Sequence, residues 1–203
     1  MSCHPIYPDE PIQMVGVVLC GGKSMRMGKD KGLLKMEETP WAEWAARKLE
    51  QVGLPFCISI REEQAPSYLE HFEQERLIID RFDVPGPLRG IFSVHNQFPF
   101  HDLLVIACDL PDVEISLIQR LMEEFSQYNG AHDFLVYQHG EDLEPLLGIY
   151  SREGLQKIFD LYSVGQLEKF SMKHVLEISN TLALPLPSSQ VAQMKNYNTL
   201  EGE

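Results

Sequence analysis

Short apolar runs alternate with amphipathic stretches along most of the chain. Residues 14–19, MVGVVL, form an uninterrupted apolar run rich in valine, which predicts a strand buried on both faces. The period then changes. Trp41, Trp44, Ala45, Leu49 and Val52 recur at helical spacing, with Thr39 expected as N-cap, Pro40 as the first helical residue and Gly53 past the end. FCISI (56–60) and RLIID (76–80) read as the next strands, and Gly86-Pro87 opens a helix through LRGIFSVHNQF. DLLVIAC (102–108) has the clearest interior-strand pattern and runs directly into Asp109-Leu110-Pro111-Asp112. Leu117, Ile118, Leu121, Met122 and Phe125 trace a helix ending near Asn129-Gly130, and Asp112 is expected to cap it. HDFLVYQ and EPLLGIY follow as strands and REGLQKIFDLY as a helix, before a less regular tail.

Strands alternating with helices predict an α/β fold of three layers, αβα, with a mostly parallel twisted sheet. Such sheets bind ligands at the carboxyl ends of their strands. Two segments fall at such ends: CGGKSMRMGKDK after the first strand and CDLP after the strand at 102–107. They are distant in sequence but can face one cleft. Residues 1–13 read as a flexible, Pro-rich lead-in, and 14–203 as one domain without repeat, low-complexity tract or linker.

Composition narrows the functions. With a net charge of −13 over 203 residues, nucleic acid and anionic membrane surfaces are not expected partners. The apolar run at 14–20 is too short to span a bilayer, and the first residues lack the pattern of a signal peptide. Cys3, Cys20, Cys57 and Cys108 are scattered with no Cys-x-x-Cys pair, which favours a reducing, cytoplasmic setting. The histidines at 71, 95, 101, 132, 139 and 174 show no ligand spacing and are expected on surfaces or in caps.

Against that acidic background, Lys23, Arg26, Lys29 and Lys31 crowd one glycine-opened loop. The stretch GVVLCGGKS is not a Walker A loop: five residues, not four, separate Gly16 from Gly22-Lys23-Ser24, and the valines belong to the strand. No Gly-x-Gly-x-x-Gly is present either. Gly21 and Gly22 let backbone N–H groups approach an anion closely, Arg26 can grip two phosphate oxygens, and Lys31 can act as a movable point charge. A solvated basic loop with no ligand explains the composition equally well. Asp109 tips the balance towards a metal–triphosphate site, because an acid at a strand end suits Mg²⁺ and Asp112 stands nearer the next helix.

The motifs LCGGKSMRMGKDKGLL, IIDRFDVPGPLRGI, ACDLP, EPLLGIY and NYNT occur in the order and rough spacing of the molybdenum cofactor guanylyltransferases (MobA), which the chain resembles over about residues 14–200. The resemblance implies a Rossmann-like nucleotidyltransferase fold and transfer of GMP from GTP to Mo-molybdopterin, with release of pyrophosphate and Mg²⁺ as cofactor. It further implies that Leu19, Cys20, Gly21 and Gly22 line the nucleotide, with Cys20 where alanine is usual. Lys31 and Arg26 would contact phosphates, Asp80 the nucleotide, and Asp109 both Mg²⁺ and GTP. Asn196 and Asn198 match an Asn-x-Asn-Thr-Pro motif whose proline is here Leu200, and Asn198 would add a second metal contact. Residues 164–177 resemble the stretch facing the pterin, whereas Arg89 reads as a surface residue. FCISIREE lacks the asparagine often found there, so nothing is transferred to Ile60 or Arg61. Transient contact with other cofactor-biosynthesis proteins or acceptor apoenzymes is implied too. The alternatives are a cytidylyl- or sugar-1-phosphate nucleotidylyltransferase of the same fold, and a non-catalytic GTP-binding assembly partner.

Overall fold

Alternating burial along the first strand sets the layers. The computed structural model describes residues 14–22, 30–128 and 130–194. In β1 (Met14–Leu19), Val15, Val17 and Leu19 face one helical layer while Val18 faces the other. Next, β2 (Lys35–Met36) and β3 (Thr39–Pro40) form a small antiparallel hairpin and lead into α1 (Trp41–Gln51). This corrects the helix start: Thr39 pairs with Met36 as strand, and Pro40 is the N-cap residue, not the first helical one. Hairpin pairing holds Thr39 extended, so its hydroxyl makes no cap. Val52 is the C-cap residue, and Gly53 follows with φ +76, past the end as expected.

β4 (Phe56–Ile60), α2 (Ala65–Tyr68), β5 (Leu77–Ile79), α3 (Leu88–Gln97) and β6 (Asp102–Ala107) complete the first half. α4 (Ile115–Tyr128), β7 (Phe134–His139), β8 (Asp142–Tyr150), α5 (Arg152–Ser163), α6 (Met172–Glu177) and β9 (Thr181–Pro185) follow. The sheet order is β5-β4-β1-β6-β8-β7-β9. All neighbours run parallel except β8, which is antiparallel to both β6 and β7. Helices α1, α2 and α4 cover one face, and α3, α5 and α6 the other. Among the described residues no helix is long and apolar enough to cross a membrane.

Two further expectations change. Asp112 does not cap α4, which begins only at Ile115. Asp112 is exposed and its charge bears on Lys48 of α1. Lys48 is buried and donates to the carbonyl of Pro111, so α1 clamps the turn that follows β6. Burial lowers its ammonium to about 8, and Asp112 opposes the shift. His95 is not a surface residue: it is 1% exposed, packs on Phe159, and lies 3.4 Å from the Gln156 side chain. Burial holds its imidazole below the usual range, the Gln156 contact opposing. The tail also contains a strand, β9, paired in parallel with β7.

The β2–β3 turn stores backbone strain. Glu37 and Glu38 sit at φ 51 and 65 between the paired Met36 and Thr39, the geometry that two-residue hairpin loops normally give to Asn and Gly. Glu38→Gly should therefore raise unfolding free energy by about 1 kcal/mol, read as a higher urea midpoint at unchanged slope.

Candidate active site

Three parallel strands end level with one another. Leu19 of β1 stands in register with Ser59 of β4 and Ala107 of β6. The ladder runs one step further, with Cys20 N donating to Ser59 O at 2.9 Å and Cys108 N to Leu19 O at 3.2 Å. There the backbone leaves the sheet, at Gly21-Gly22 on one strand and Asp109 on the other. Lys31, returning after the loop, places its Nζ 2.9 Å from Asp109 Oδ2. The two segments singled out in the sequence thus meet in one crevice.

The other side of β1 is closed by Asp80. Its backbone N donates to Ile60 O at 2.7 Å, which carries the ladder past β5, and its Oδ1 accepts from Ser59 Oγ at 2.7 Å. Gly21 approaches this carboxylate so closely that a Cβ there would sit 2.1 Å from Asp80 Oδ2. Only glycine fits. Burial pushes the Asp80 carboxyl up to about 6, while the Ser59 hydrogen bond and the charges of Arg89 and Arg61 pull the other way. Arg89 is thus no bystander: it is half-buried, its Nε donates to Val84 O at 3.0 Å, and its charge reaches Asp80. Leu19, Cys20, Gly21, Gly22, Lys31, Asp80 and Asp109 all gather at this carboxyl edge. Arg26, Asn196 and Asn198, with Lys23 and Lys29, lie outside the described residues.

A polar knot beneath the loop escaped the sequence reading. Asp30 caps the turn bearing Lys31, its Oδ1 accepting from Gly32 N at 3.0 Å and from Tyr68 Oη at 3.1 Å. Gln64 Nε2 donates to Asp30 Oδ2 and, at 3.1 Å, to Cys20 O. Gln64 Oε1 accepts from Arg61 N at 2.7 Å. One buried amide therefore ties the end of β1, the end of β4 and the Lys31 turn together. Nothing in the local pattern of REEQAPSY marks it, because every partner except Arg61 is distant in sequence.

Asp109 suits a hard divalent cation. Its side chain is 18% exposed and already accepts a cationic group, the Lys31 ammonium. Among the described residues no cluster of three or more His, Cys, Asp or Glu could cage a metal. That donor set fits an ion shared between one carboxylate and substrate phosphates, the habit of Mg²⁺. Glu144, near the start of β8, is the second acid here: burial raises its carboxyl, Leu146 N donates to it at 3.2 Å, and the Asp109 charge adds to the rise. Beside it lies a cavity of about 250 Å³ lined by Tyr137, His139, Leu143, Leu186 and Met194. In the stretch expected to face the pterin, Leu167, Met172, Val175 and Leu176 are core residues under α3 and α5.

The family model of the MobA-like NTP transferase domain matches residues 16–178. A probable molybdenum cofactor guanylyltransferase of Pelotomaculum thermopropionicum is 33% identical over 147 residues, 72% of this chain and 68% of that protein. Among solved structures, molybdopterin-guanine dinucleotide biosynthesis protein A of Archaeoglobus fulgidus superposes with a TM-score of 0.73 at 23% identity, covering 93% of this chain and 94% of that one. Rv0371C of Mycobacterium tuberculosis H37Rv, solved in complex with manganese, gives a TM-score of 0.60 at 16% identity over 86% of this chain and 88% of its own. The glycine turn, the Lys31–Asp109 contact and the match across the sheet have one explanation: the chain belongs to the family of MobA-like NTP transferase domains.

Proposed function

We propose that the protein is a molybdenum cofactor guanylyltransferase, transferring GMP from GTP to Mo-molybdopterin with release of pyrophosphate. The observation that carries this reading is the 2.9 Å contact between Lys31 and Asp109, which joins the turn after β1 to the acid after β6. The relatives' shared name supports guanylyl as the group transferred.

A terminal phosphate oxygen of the pterin attacks the α-phosphorus of GTP. The new P–O bond forms as the bond to the β-phosphate breaks, and pyrophosphate leaves. Two anions meet inside a protein of net charge −13, so the site must supply positive charge locally. In this reading Lys31 moves its ammonium from Asp109 to the phosphates, and Arg26 adds a bidentate grip. Gly21 and Gly22 offer backbone N–H groups, Leu19 and Cys20 line the nucleoside, and Asp80 accepts its hydrogen bonds. Asp109 and Asn198 would hold magnesium, which would supply positive charge to the phosphates when bound. The attacking phosphate is ionised near neutrality and needs no strong base. The cavity lined by Glu144, whose carboxyl feels the Asp109 charge, offers room for the second substrate on that side. The scattered cysteines favour a cytoplasmic setting.

Incubation of the purified protein with GTP, Mg²⁺ and Mo-molybdopterin should yield the guanine dinucleotide and pyrophosphate. A clear preference for CTP, or binding of GTP without pyrophosphate release, would overturn the assignment. Lys31→Ala should lower turnover by roughly 10²–10³, the scale for losing one preorganised charge-stabilising group. Asp109→Asn should lose at least as much and need more Mg²⁺, whereas the exposed Asp112→Ala should keep wild-type turnover; an equally inactive, folded Asp112 variant would sink the metal assignment.

Asp80 should give the nucleotide site a pH signature. Its folded carboxyl titrates near 6 against an ordinary 3.8, so it loses acceptor capacity as pH falls through about 6. GTP affinity, measured by calorimetry from pH 5 to 8, should fall on the acid side in the wild type and lie flatter in Asp80→Asn. The stability linkage has the opposite sense. Because the folded pKa is raised, this group's contribution is fully present below 3.8 and is lost as pH rises through about 6, as the difference from Asp80→Asn should reveal.

A further inference from the structure

Two thiols that take no part in bond making or breaking, Cys20 of the nucleoside lining and Cys108, stand side by side beneath the crevice. Cys20 and Cys108 each lie one residue past the last registered pair, Leu19 and Ala107, on neighbouring parallel strands. Both pack into the same helical layer, so both sulfurs leave the sheet on the same face. Their side chains are neighbours, close enough for Cys20 to act on the Cys108 thiol. Adjacent strands lie about 4.8 Å apart, within the Cα separation of roughly 4.4–6.8 Å that a disulfide spans. Cys57, the third thiol among the described residues, packs into the opposite layer and has no such neighbour.

The position of the pair gives it consequence. Cys20 immediately precedes Gly21-Gly22, and Cys108 immediately precedes Asp109. Both thiols are nearly buried, at 4% and 5% exposure, yet the residues that follow them open outward: Gly22 is exposed and the Asp109 side chain is 18% exposed. The sulfurs thus lie one residue beneath an open surface. The Tyr68 hydroxyl contacts Cys20 as well as Asp30, so a change at this sulfur reaches the turn that carries Lys31.

We propose that Cys20 and Cys108 are a hydroperoxide-sensitive dithiol whose disulfide shuts down the nucleotide crevice. The Cys20 sulfur attacks the peroxide, breaking the O–O bond; it becomes a sulfenic acid while the peroxide leaves as the alcohol, or as water from hydrogen peroxide. The second thiol displaces the sulfenic hydroxyl, forming the S–S bond and releasing water. Two thiols lose two electrons and the peroxide gains them, so no further reactant is needed. The bond draws the sulfurs to about 2.05 Å and pulls together the strand ends that carry Gly21 and Asp109. A misplacement of about 1 Å is enough to spoil in-line transfer. The loss of activity rests on the function proposed above; the crosslink itself does not.

The test treats the full-length protein with hydrogen peroxide, blocks remaining thiols under denaturing conditions, and maps peptides by mass spectrometry. A peptide pair linking Cys20 to Cys108, 2 Da lighter than the two thiols and released by dithiothreitol, is expected, with Cys57 recovered alkylated. In parallel, oxidised wild type should lose roughly tenfold or more of its GTP-dependent turnover and regain it on reduction. Cys108→Ala should bind GTP like the reduced wild type, by thermal shift, and be indifferent to peroxide. Links through Cys3 in place of the Cys20–Cys108 pair, or no link at all, would overturn the proposal, as would a fully crosslinked protein of unchanged turnover. If the reduced wild type neither binds GTP nor turns it over, the proposed function fails while the mapped disulfide stands.

Discussion

Everything at the carboxyl edge depends on β1 being held in parallel register between β4 and β6. The strand is buried on both sides, so its register is doubly specified. A slip of one residue would exchange Val15, Val17 and Leu19 for Val18 and Cys20 between two differently shaped helical layers. Fixed in that way, Leu19, Ser59 and Ala107 end at one height. The residues that follow them then have little choice of position: Gly21 against Asp80, and Asp109 within reach of Lys31. The geometry of the crevice is a consequence of strand pairing more than of the loop between its two sides.

The two principal acids of the crevice are in different electrical surroundings, and that separates their uses. Asp80 is desolvated beneath Gly21, and burial outweighs Ser59, Arg89 and Arg61 in setting its protonation. It is suited to directional hydrogen bonding with a ligand group that brings protons. Asp109 is partly open to solvent and already bears a cation on one oxygen. It is suited to exchanging one positive charge for another. In a protein with a large negative net charge, positive charge must be supplied locally, and here lysine and carboxylate neutralise each other at 2.9 Å.

The sequence pattern revealed the strands and most helices because continuous apolar runs and helical periodicity are one-dimensional signals. The meeting of the two segments was legible for a related reason: parallel strands finish at one edge, and Gly21-Gly22 and Asp109 stand at such ends. What stayed hidden was three-dimensional or broke a local rule. The β2–β3 hairpin turns on Glu37 and Glu38, neither of which announces a turn. Gln64 and Tyr68 act through partners on other elements, and Arg89 acts through Asp80. Asp112 looked like a cap by proximity to α4, but the turn after β6 continues past it, held by Lys48. The shape of the tail was obscured because β9 relies on its pairing with β7.

The one reversed strand accounts for the asymmetry of the cleft. In a wholly parallel sheet every strand would start at the far edge, and only the loops after strands could reach the ligand. Because β8 runs against β6 and β7, its opening residues return to the edge where those strands finish. Glu144 is brought towards Asp109 by that reversal, and the cavity of about 250 Å³ forms between it, the end of β7 and the segment after β9. The β4–β1 side, built from parallel strand ends and a glycine turn, presents backbone N–H groups and cations. The β8–β7 side presents a carboxylate and an apolar wall. The cleft therefore has two unlike halves, and Asp109 stands between them, paired with Lys31 on one side and bearing on Glu144 on the other.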